Sequence, residues 1–451
     1  MNDTFHALAT VPGTSAIGVI RVTGSKVVEL IRGSLDVDVS EKAFRKAILG
    51  TYRVISGTPV DQVLWTYFPP YSSYTGRDLV EISCHGNMFL VEQILWDLER
   101  RGSRPAEPGE FTKTAFLEGR MDLSQAEAVA DLIAARSEAA VLAAQKQLAG
   151  GLGHEIESCV SRILSVLAEI EAYIDFPEED LPGETTDGPR KELAVLISRL
   201  GEMIATGRQR ELLHRGIRTV LLGEVNAGKS SLLNRLLGEE RAIVSATPGT
   251  TRDFLEDSFT LGRFCIQIFD TAGIRESADE IEREGVRRTQ RLAGNADFNL
   301  VVMDGTEDCP TLPPEIQAGF TEENTLLVFN KCDLPEFSMN PSFYPQLRRV
   351  SLSATEGMGV SDFLSIWESM IREDMLKGAE DRVLYNQRHI GYLKECQTAL
   401  ERARLALQEK TSTEYVAPEL RDALDALGSI VGTVDNEAML DVLFGEFCIG
   451  K

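Results

Sequence analysis

Eight consecutive residues, Gly223-Glu224-Val225-Asn226-Ala227-Gly228-Lys229-Ser230, carry the clearest chemistry in this chain. The pattern G-x-x-x-x-G-K-[ST] lets the backbone curl its N–H groups inward around phosphate oxygens, with Lys229 reaching the β- and γ-phosphates and the Ser230 hydroxyl serving Mg²⁺. Glycine is needed where a Cβ would block the curl. The β-prone run 217–222 precedes the segment and a helical pattern follows from Ser231. Strand, loop and helix in that order distinguish a phosphate loop from a chance Gly-rich turn.

Three other segments complete a nucleotide site. Asp270-Thr271-Ala272-Gly273 follows the apolar run 264–269, which places a carboxylate at a strand end to support Mg²⁺, usually through water, and the Gly273 amide where it can sense the γ-phosphate. The run 325–329 leads into Asn330-Lys331-Cys332-Asp333, and Arg349-Val350 leads into Ser351-Leu352-Ser353-Ala354. The Asp333 carboxylate can accept from guanine N1–H and the exocyclic amine together, whereas adenine offers neither donor and would leave the acid unpaired. The nucleotide is therefore expected to be GTP. The Lys331 methylenes lie over the base, Asn330 ties this loop to the phosphate loop, and the Ala354 amide meets guanine O6. The polar segment 242–253, with Pro248 and Gly249, is expected to be ordered by the γ-phosphate. Thr251 within it is the candidate second hydroxyl on Mg²⁺. The expected GTP-binding set further includes Asn226, Ala227, Gly228, Ser231, Ser245, Thr250, Thr271, Ala272 and Ser353.

Together with Gly249-Thr250-Thr251-Arg252-Asp253 and the tetrapeptide Cys448-Ile449-Gly450-Lys451, these residues resemble the MnmE (TrmE) family of tRNA-modification GTPases. The GTPase motifs alone are shared with Era and Der, ribosome-assembly switches that form the alternative reading. The tetrapeptide and the N-terminal third discriminate. That third carries 18–24 (Gly-Val-Ile-Arg-Val-Thr-Gly), 74–81 (Tyr-Thr-Gly-Arg-Asp-Leu-Val-Glu), His85-Gly86, 104–112 (Arg-Pro-Ala-Glu-Pro-Gly-Glu-Phe-Thr) and 122–128 (Asp-Leu-Ser-Gln-Ala-Glu-Ala). Each is similar to a family stretch, in the same order, so the resemblance covers essentially the whole chain. Val225 stands where proline is usual in the family.

The resemblance implies a K⁺ ion near the β–γ bridge, held by Asn226 and by oxygens of Ser245, Thr247 and Thr250, where other GTPases receive an arginine in trans. Closure of that loop accompanies face-to-face pairing of GTPase domains. Arg252 is read as structural rather than as a built-in arginine finger. The position after Asp-x-x-Gly holds no water-orienting glutamine. By resemblance that role falls to Glu282, in a run of neighbouring carboxylates that chemistry alone does not separate. The N-terminal domain is implied to resemble tetrahydrofolate-binding domains, to form the homodimer, and to bind 5-formyl- or methylene-tetrahydrofolate through Arg21, Glu81, Arg120 and Lys451. A carboxylate suits the amine edge of a pterin, and Arg or Lys suits its glutamate tail. Cys448 is implied to act in the modification as nucleophile, proton donor or positioning group. The implied reaction, shared with the FAD-dependent partner MnmG (GidA) in a heterotetramer or larger complex, places an aminomethyl or carboxymethylaminomethyl group on C5 of the tRNA wobble uridine. FAD is expected on the partner only, because this chain has no G-x-G-x-x-G after a strand.

Composition bounds the elements that must position these groups. The 451 residues allow two to four domains. No 18-residue apolar run and no signal-peptide form are present, so a cytoplasmic protein without membrane contact is expected. Seven scattered cysteines without a C-x-x-C pair argue for reduced thiols and against zinc. His85 is expected to be structural. A net charge of −24 argues against generic nucleic-acid binding and requires a local or borrowed basic patch for tRNA. Arg287, Arg288 and Arg291 read as a solvated helix face.

Residues 1–118 mix strand and helix patterns, an α+β domain. Helical spacing then dominates 119–214, the α/β GTPase domain (Ras-like) occupies 215–378, and helical spacing resumes over 379–451. The expected architecture is multidomain: an α+β folate-binding and dimerisation domain, and one helical domain interrupted by the P-loop GTPase, its halves joined because each has an apolar stripe to bury.

Overall fold

A computed structural model of the chain describes residues 3–35, 44–175, 187–239, 257–270, 294, 296–308, 313–379, 382–408, 415–432, 437–445 and 447–450. The chain forms two compact units, one comprising Met1–Ala130, Leu148–Asp175 and Ala417–Lys451, the other Asp131–Gln147 and Phe176–Val416.

In the first unit, strands β1 (Phe5–Leu8), β2 (Ile17–Thr23), β3 (Ile48–Arg53), β4 (Pro59–Phe68), β5 (Leu79–His85) and β6 (Arg104–Pro105) form one sheet, ordered β3-β4-β5-β2-β1-β6. Only the β1–β6 pair is parallel. Strand alternation sends Ile20, Val22, Val80, Ile82 and Cys84 into a core closed by Val91, Ile94 and Leu98 of the helix Met88–Arg100. The intervening residues, among them Arg21 and Glu81, lie on the opposite face. Register sets Arg21 directly across from Glu81, close enough for a cross-strand ion pair. Asp97 can sit in this core, 3% exposed, because it accepts from Tyr52 Oη, the Ile55 N–H and Arg101 Nε. The same unit holds the helices Glu110–Leu117, Gly151–Asp175, Val416–Val431 and Glu437–Gly445. An ion pair at 2.8 Å joins Arg421 to Glu171.

The second unit contains β7 (Ile217–Leu222), β8 (Asp257–Leu261), β9 (Phe264–Asp270), β10 (Phe298–Asp304), β11 (Thr325–Asn330) and β12 (Arg348–Ser351), ordered β12-β11-β10-β7-β9-β8. All neighbours are parallel except β8 and β9. Strands β10 and β11 are buried almost throughout, which is why they read as unbroken apolar runs rather than alternating ones. Trp367 anchors one face, its ring centroid 5.5 Å from Phe363 and 5.9 Å from both Phe259 and Phe298. A fully buried ring of that size contributes on the order of 3–5 kcal/mol.

The helices Asp187–Ala205 and Gln387–Gln408, from either side of the α/β segment, pack along each other. Leu193, Leu196, Leu200 and Met203 are buried on the first, and Leu393, Cys396, Leu400 and Ala403 on the second. Gln397 Nε2 donates to Ile197 O at 3.2 Å. The helical part is thus built by chain before and after an inserted P-loop GTPase domain, while the N-terminal part is α+β. Among the described residues, no helix is long and apolar enough to cross a membrane.

Candidate functional site

The phosphate loop leaves β7 at Leu222 and runs into the helix Lys229–Glu239. Two glycines in it leave no room for a Cβ. Gly223 has φ +141°, and a Cβ there would lie 2.0 Å from Val302 O; Gly228 has φ +96°, and its Cβ would lie 2.0 Å from Asn330 Nδ2. Asn226 also adopts positive φ, 67°, which asparagine tolerates better than most residues. Lys229 is 6% exposed, and its Nζ donates to Gly223 O at 2.8 Å and Glu224 O at 2.7 Å. The loop's own carbonyls therefore hold the ammonium inside the curl. Asn226, Ser230 and Ser231 are exposed at its rim.

Asn330 closes the β11 end of the site. It is 3% exposed, donates through Nδ2 to Ala227 O at 2.9 Å, and accepts the Ala354 N–H at Oδ1, also 2.9 Å. One side chain thus joins the phosphate loop to the 353–354 loop. The Ala354 amide, expected at guanine O6, is engaged by Asn330. Ser353 is fully buried, and its Oγ accepts the Glu356 N–H at 3.1 Å. Asp333 is exposed beyond the strand. Its loop is held where the Cys332 N–H donates to Leu352 O at 3.2 Å. The Cys332 thiol is pushed up from its usual pKa, first by desolvation and then by the Asp333 charge.

Two groups here, Asp304 and Arg235, carry no recognised motif. Lys331, at φ 66°, forms an ion pair with Asp304, the last residue of β10. Asp304 also accepts from the N–H (3.0 Å) and Oγ1 (2.7 Å) of Thr306. Burial alone would raise the Asp304 pKa, but Lys331 and Thr306 outweigh it and hold the carboxyl below its usual range. The available signal was an acid ending an apolar run before a turn. Arg235, on the helix after the phosphate loop, donates from Nε to Ala354 O at 2.6 Å and fixes the 354 loop from the other side.

Asp270 ends β9, in register with Leu221 of β7, so its backbone stands beside the root of the phosphate loop. Ser245, Thr247, Thr250, Thr251, Arg252, Thr271, Ala272, Gly273, Glu282 and Lys451 lie outside the described residues.

A second constellation occupies the first unit. Arg21 Nε donates to Glu81 Oε1 at 2.9 Å, and Arg21 Nη1 donates to Gly450 O at 3.4 Å. The Gly109 N–H donates to Cys448 O at 3.4 Å, and the Cys448 thiol is exposed. Arg21, Glu81 and the 448–450 segment are therefore brought together. Arg120 instead donates to Tyr71 O at 3.4 Å. His85, for which sequence named no partner, pairs Nδ1 with Asp61 Oδ1 at 2.8 Å, and its N–H donates to Asp61 Oδ2.

Comparison with known proteins supplies the family. Residues 123–448 match the family model described as the MnmE helical domain, and residues 4–120 match that described as the GTP-binding protein TrmE N-terminus. The chain is 43% identical to the tRNA modification GTPase MnmE of Opitutus terrae, over 100% of this chain and 99% of that protein. It is 41% identical to the protein of the same name from Akkermansia muciniphila, over 99% of each. A solved structure of an Aquifex aeolicus Era variant bound to GDP and aluminium fluoride is 25% identical, covering 40% of this chain and 66% of that one at a TM-score of 0.27. Near-complete coverage at such identity, with both family models in order, shows that the chain belongs to the MnmE (TrmE) family of tRNA-modification GTPases.

Proposed function

We propose that this GTPase, together with the flavoprotein MnmG, installs an aminomethyl or carboxymethylaminomethyl group on C5 of the wobble uridine of certain tRNAs, with a one-carbon unit from tetrahydrofolate. The observation that carries this reading is the convergence of Arg21, Glu81 and the 448–450 segment on one side of the N-terminal sheet. A carboxylate able to pair an amine edge, a guanidinium and an exposed thiol stand where no GTPase chemistry requires them.

In this reading Lys229 and Ser230 meet the nucleotide phosphates and Mg²⁺, Thr251 supplies the second hydroxyl on that ion, and Asp333 reads guanine. The glycine cradle and the caged ammonium suit a polyphosphate. A monovalent ion held by Asn226 with Ser245, Thr247 and Thr250 adds positive charge where the transition state gathers negative charge. Glu282 orients the attacking water. Glu81 faces the pterin edge, while Arg21, Arg120 and Lys451 take the folate's anionic end. The carbon unit arrives on folate, and the flavin of the partner supplies redox chemistry. Residues 1–118 form the homodimer, 119–214 and 379–451 the interrupted helical domain, and 215–378 the GTPase domain. The tRNA is held in a complex containing MnmG, which offsets the charge of −24 on this chain.

Reconstitution with MnmG and its flavin, a reductant for the flavin, unmodified tRNA, GTP, glycine as the amine donor and carbon-13 methylene-tetrahydrofolate, in KCl and NaCl in parallel, tests it. The label is expected in the wobble nucleoside, and GTP turnover much faster in KCl. Unlabelled nucleoside from an active mixture defeats the folate assignment, and equal turnover in the two salts removes the potassium site.

A further inference from the structure

The 447–450 segment is held at two glycines where no side chain fits. Gly109 has φ +66°, and a Cβ there would lie 2.5 Å from Phe444 O and 3.0 Å from Phe447 Cβ, while its N–H donates to Cys448 O. Gly450 has φ +94°, and its Cβ would lie 2.6 Å from Leu8 O and 3.0 Å from Ala9 Cα. Its carbonyl accepts from Arg21. The preceding helix Glu437–Gly445 is seated by Phe444, 1% exposed, with ring centroids 6.5 Å from Phe116 and 5.2 Å from Phe447. Lys113 pairs with Asp441 beside it.

These contacts pin the backbone on both sides of Cys448 and leave its thiol exposed. Approaches this close fix position more tightly than side-chain packing does, because a backbone cannot rotate to another rotamer.

We propose that Gly109 and Gly450 are positioning residues that dock the 447–450 segment against β1 and the turn before the helix Glu110–Leu117, and so fix the Cys448 thiol on the segment that meets Arg21 for the modification of tRNA. The role in modification rests on the reading of Cys448 given above; the docking does not. Gly119 supplies a matched control: its φ is +68°, nearly that of Gly109, yet nothing lies within 4 Å of its Cβ position. Alanine at either position incurs the same left-handed strain, and only at 109 does it meet the docked segment.

The test uses full-length Gly109→Ala, Gly450→Ala and Gly119→Ala, each followed by hydrogen exchange over 440–450, GTP turnover, and wobble-uridine modification with MnmG and tRNA. Exchange in 440–450 is expected to rise roughly tenfold in the first two and not in Gly119→Ala. Modification is expected to fall by about tenfold or more with GTP turnover within about twofold of wild type, since small misplacement of a reacting group has effects of that size. Unchanged exchange in both variants overturns the docking, and a loosened segment with full modification overturns the positioning role. Should Gly109→Ala not fold, Gly450→Ala decides alone. Full modification by Cys448→Ser, with the glycine variants still loosened, defeats the cysteine reading and leaves the docking standing.

Discussion

Asp333→Asn is expected to lower kcat/KM for GTP by about 10³- to 10⁴-fold and to raise it for xanthosine triphosphate, with little change in stability. A site built to pair a substrate's donors rejects a mismatched base at that scale, because the groups left unpaired in a drying pocket cost more than a lost contact. The asparagine oxygen can still accept guanine N1–H, but its amide N–H now faces the exocyclic amine, so two donors oppose each other; xanthine offers a carbonyl in place of that amine and restores the match. The loop itself is independent of this side chain. It is held by the Cys332 N–H on Leu352 O and by the Lys331–Asp304 ion pair, and Asp333 is exposed. Steady-state kinetics with both nucleotides decides the matter. Equal loss with both would place the base elsewhere.

Asn330→Ala is expected to weaken GTP binding by at least about 10²-fold and to loosen both loops that the side chain joins. Its removal strands the Ala354 N–H and the Ala227 carbonyl in a buried setting, at about 1–3 kcal/mol for each unsatisfied group. Gly228→Ala reaches a similar result by another route, since its Cβ would lie 2.0 Å from Asn330 Nδ2. The two changes should not add. In the double variant the clashing amide is gone, and only the strain of alanine at φ +96° remains from the second change. Calorimetric affinities for GTP in the two single variants and the double, with hydrogen exchange over 223–230 and 353–357, measure this. Strict additivity would mean that Asn330 and Gly228 act separately.

The GTPase part was legible because its chemistry is local. Phosphate loop, Asp270 and 330–333 each sit at the end of an apolar run, and the strands β7, β9 and β11 that lead into them are central enough to read as such, whereas β10, equally apolar, leads into no motif and was not singled out. The edge strands β3, β6 and β8 were not visible, since a strand bonded on one side needs no strong apolar signature, and the interior strand β1 was missed because four residues are too few to show an alternation. Asp304 and Arg235 escaped notice for a different reason: they act through Lys331 and Ala354 and carry no pattern of their own. In the N-terminal unit, family resemblance named Arg21, Glu81 and the Cys448 segment, yet their meeting depends on strand register and on contacts hundreds of residues apart, which periodicity does not encode. The pinning of that segment by Gly109 had no sequence signal beyond the glycine itself.

The helical part shows the same division. Apolar stripes in 119–214 and 379–451 announced that helices before and after the GTPase domain needed partners, and 187–205 packed along 387–408 is one such pairing, which the stripes did not single out. Which helices join which unit was not readable, because every amphipathic helix offers a similar stripe.

The account stands on covalent modification of tRNA by a chain that also hydrolyses GTP. Its most direct test is to express the wild-type chain, and separately Cys448→Ser, in a bacterium that lacks its own enzyme of this family but retains MnmG, and to analyse bulk tRNA nucleosides by mass spectrometry. The predicted result is return of C5-aminomethyl-type wobble uridines with the wild-type chain and not with the variant. Unmodified wobble uridine from the wild-type chain, with GTP hydrolysis intact and its own MnmG co-expressed, would contradict the account and leave a GTP-driven switch in its place.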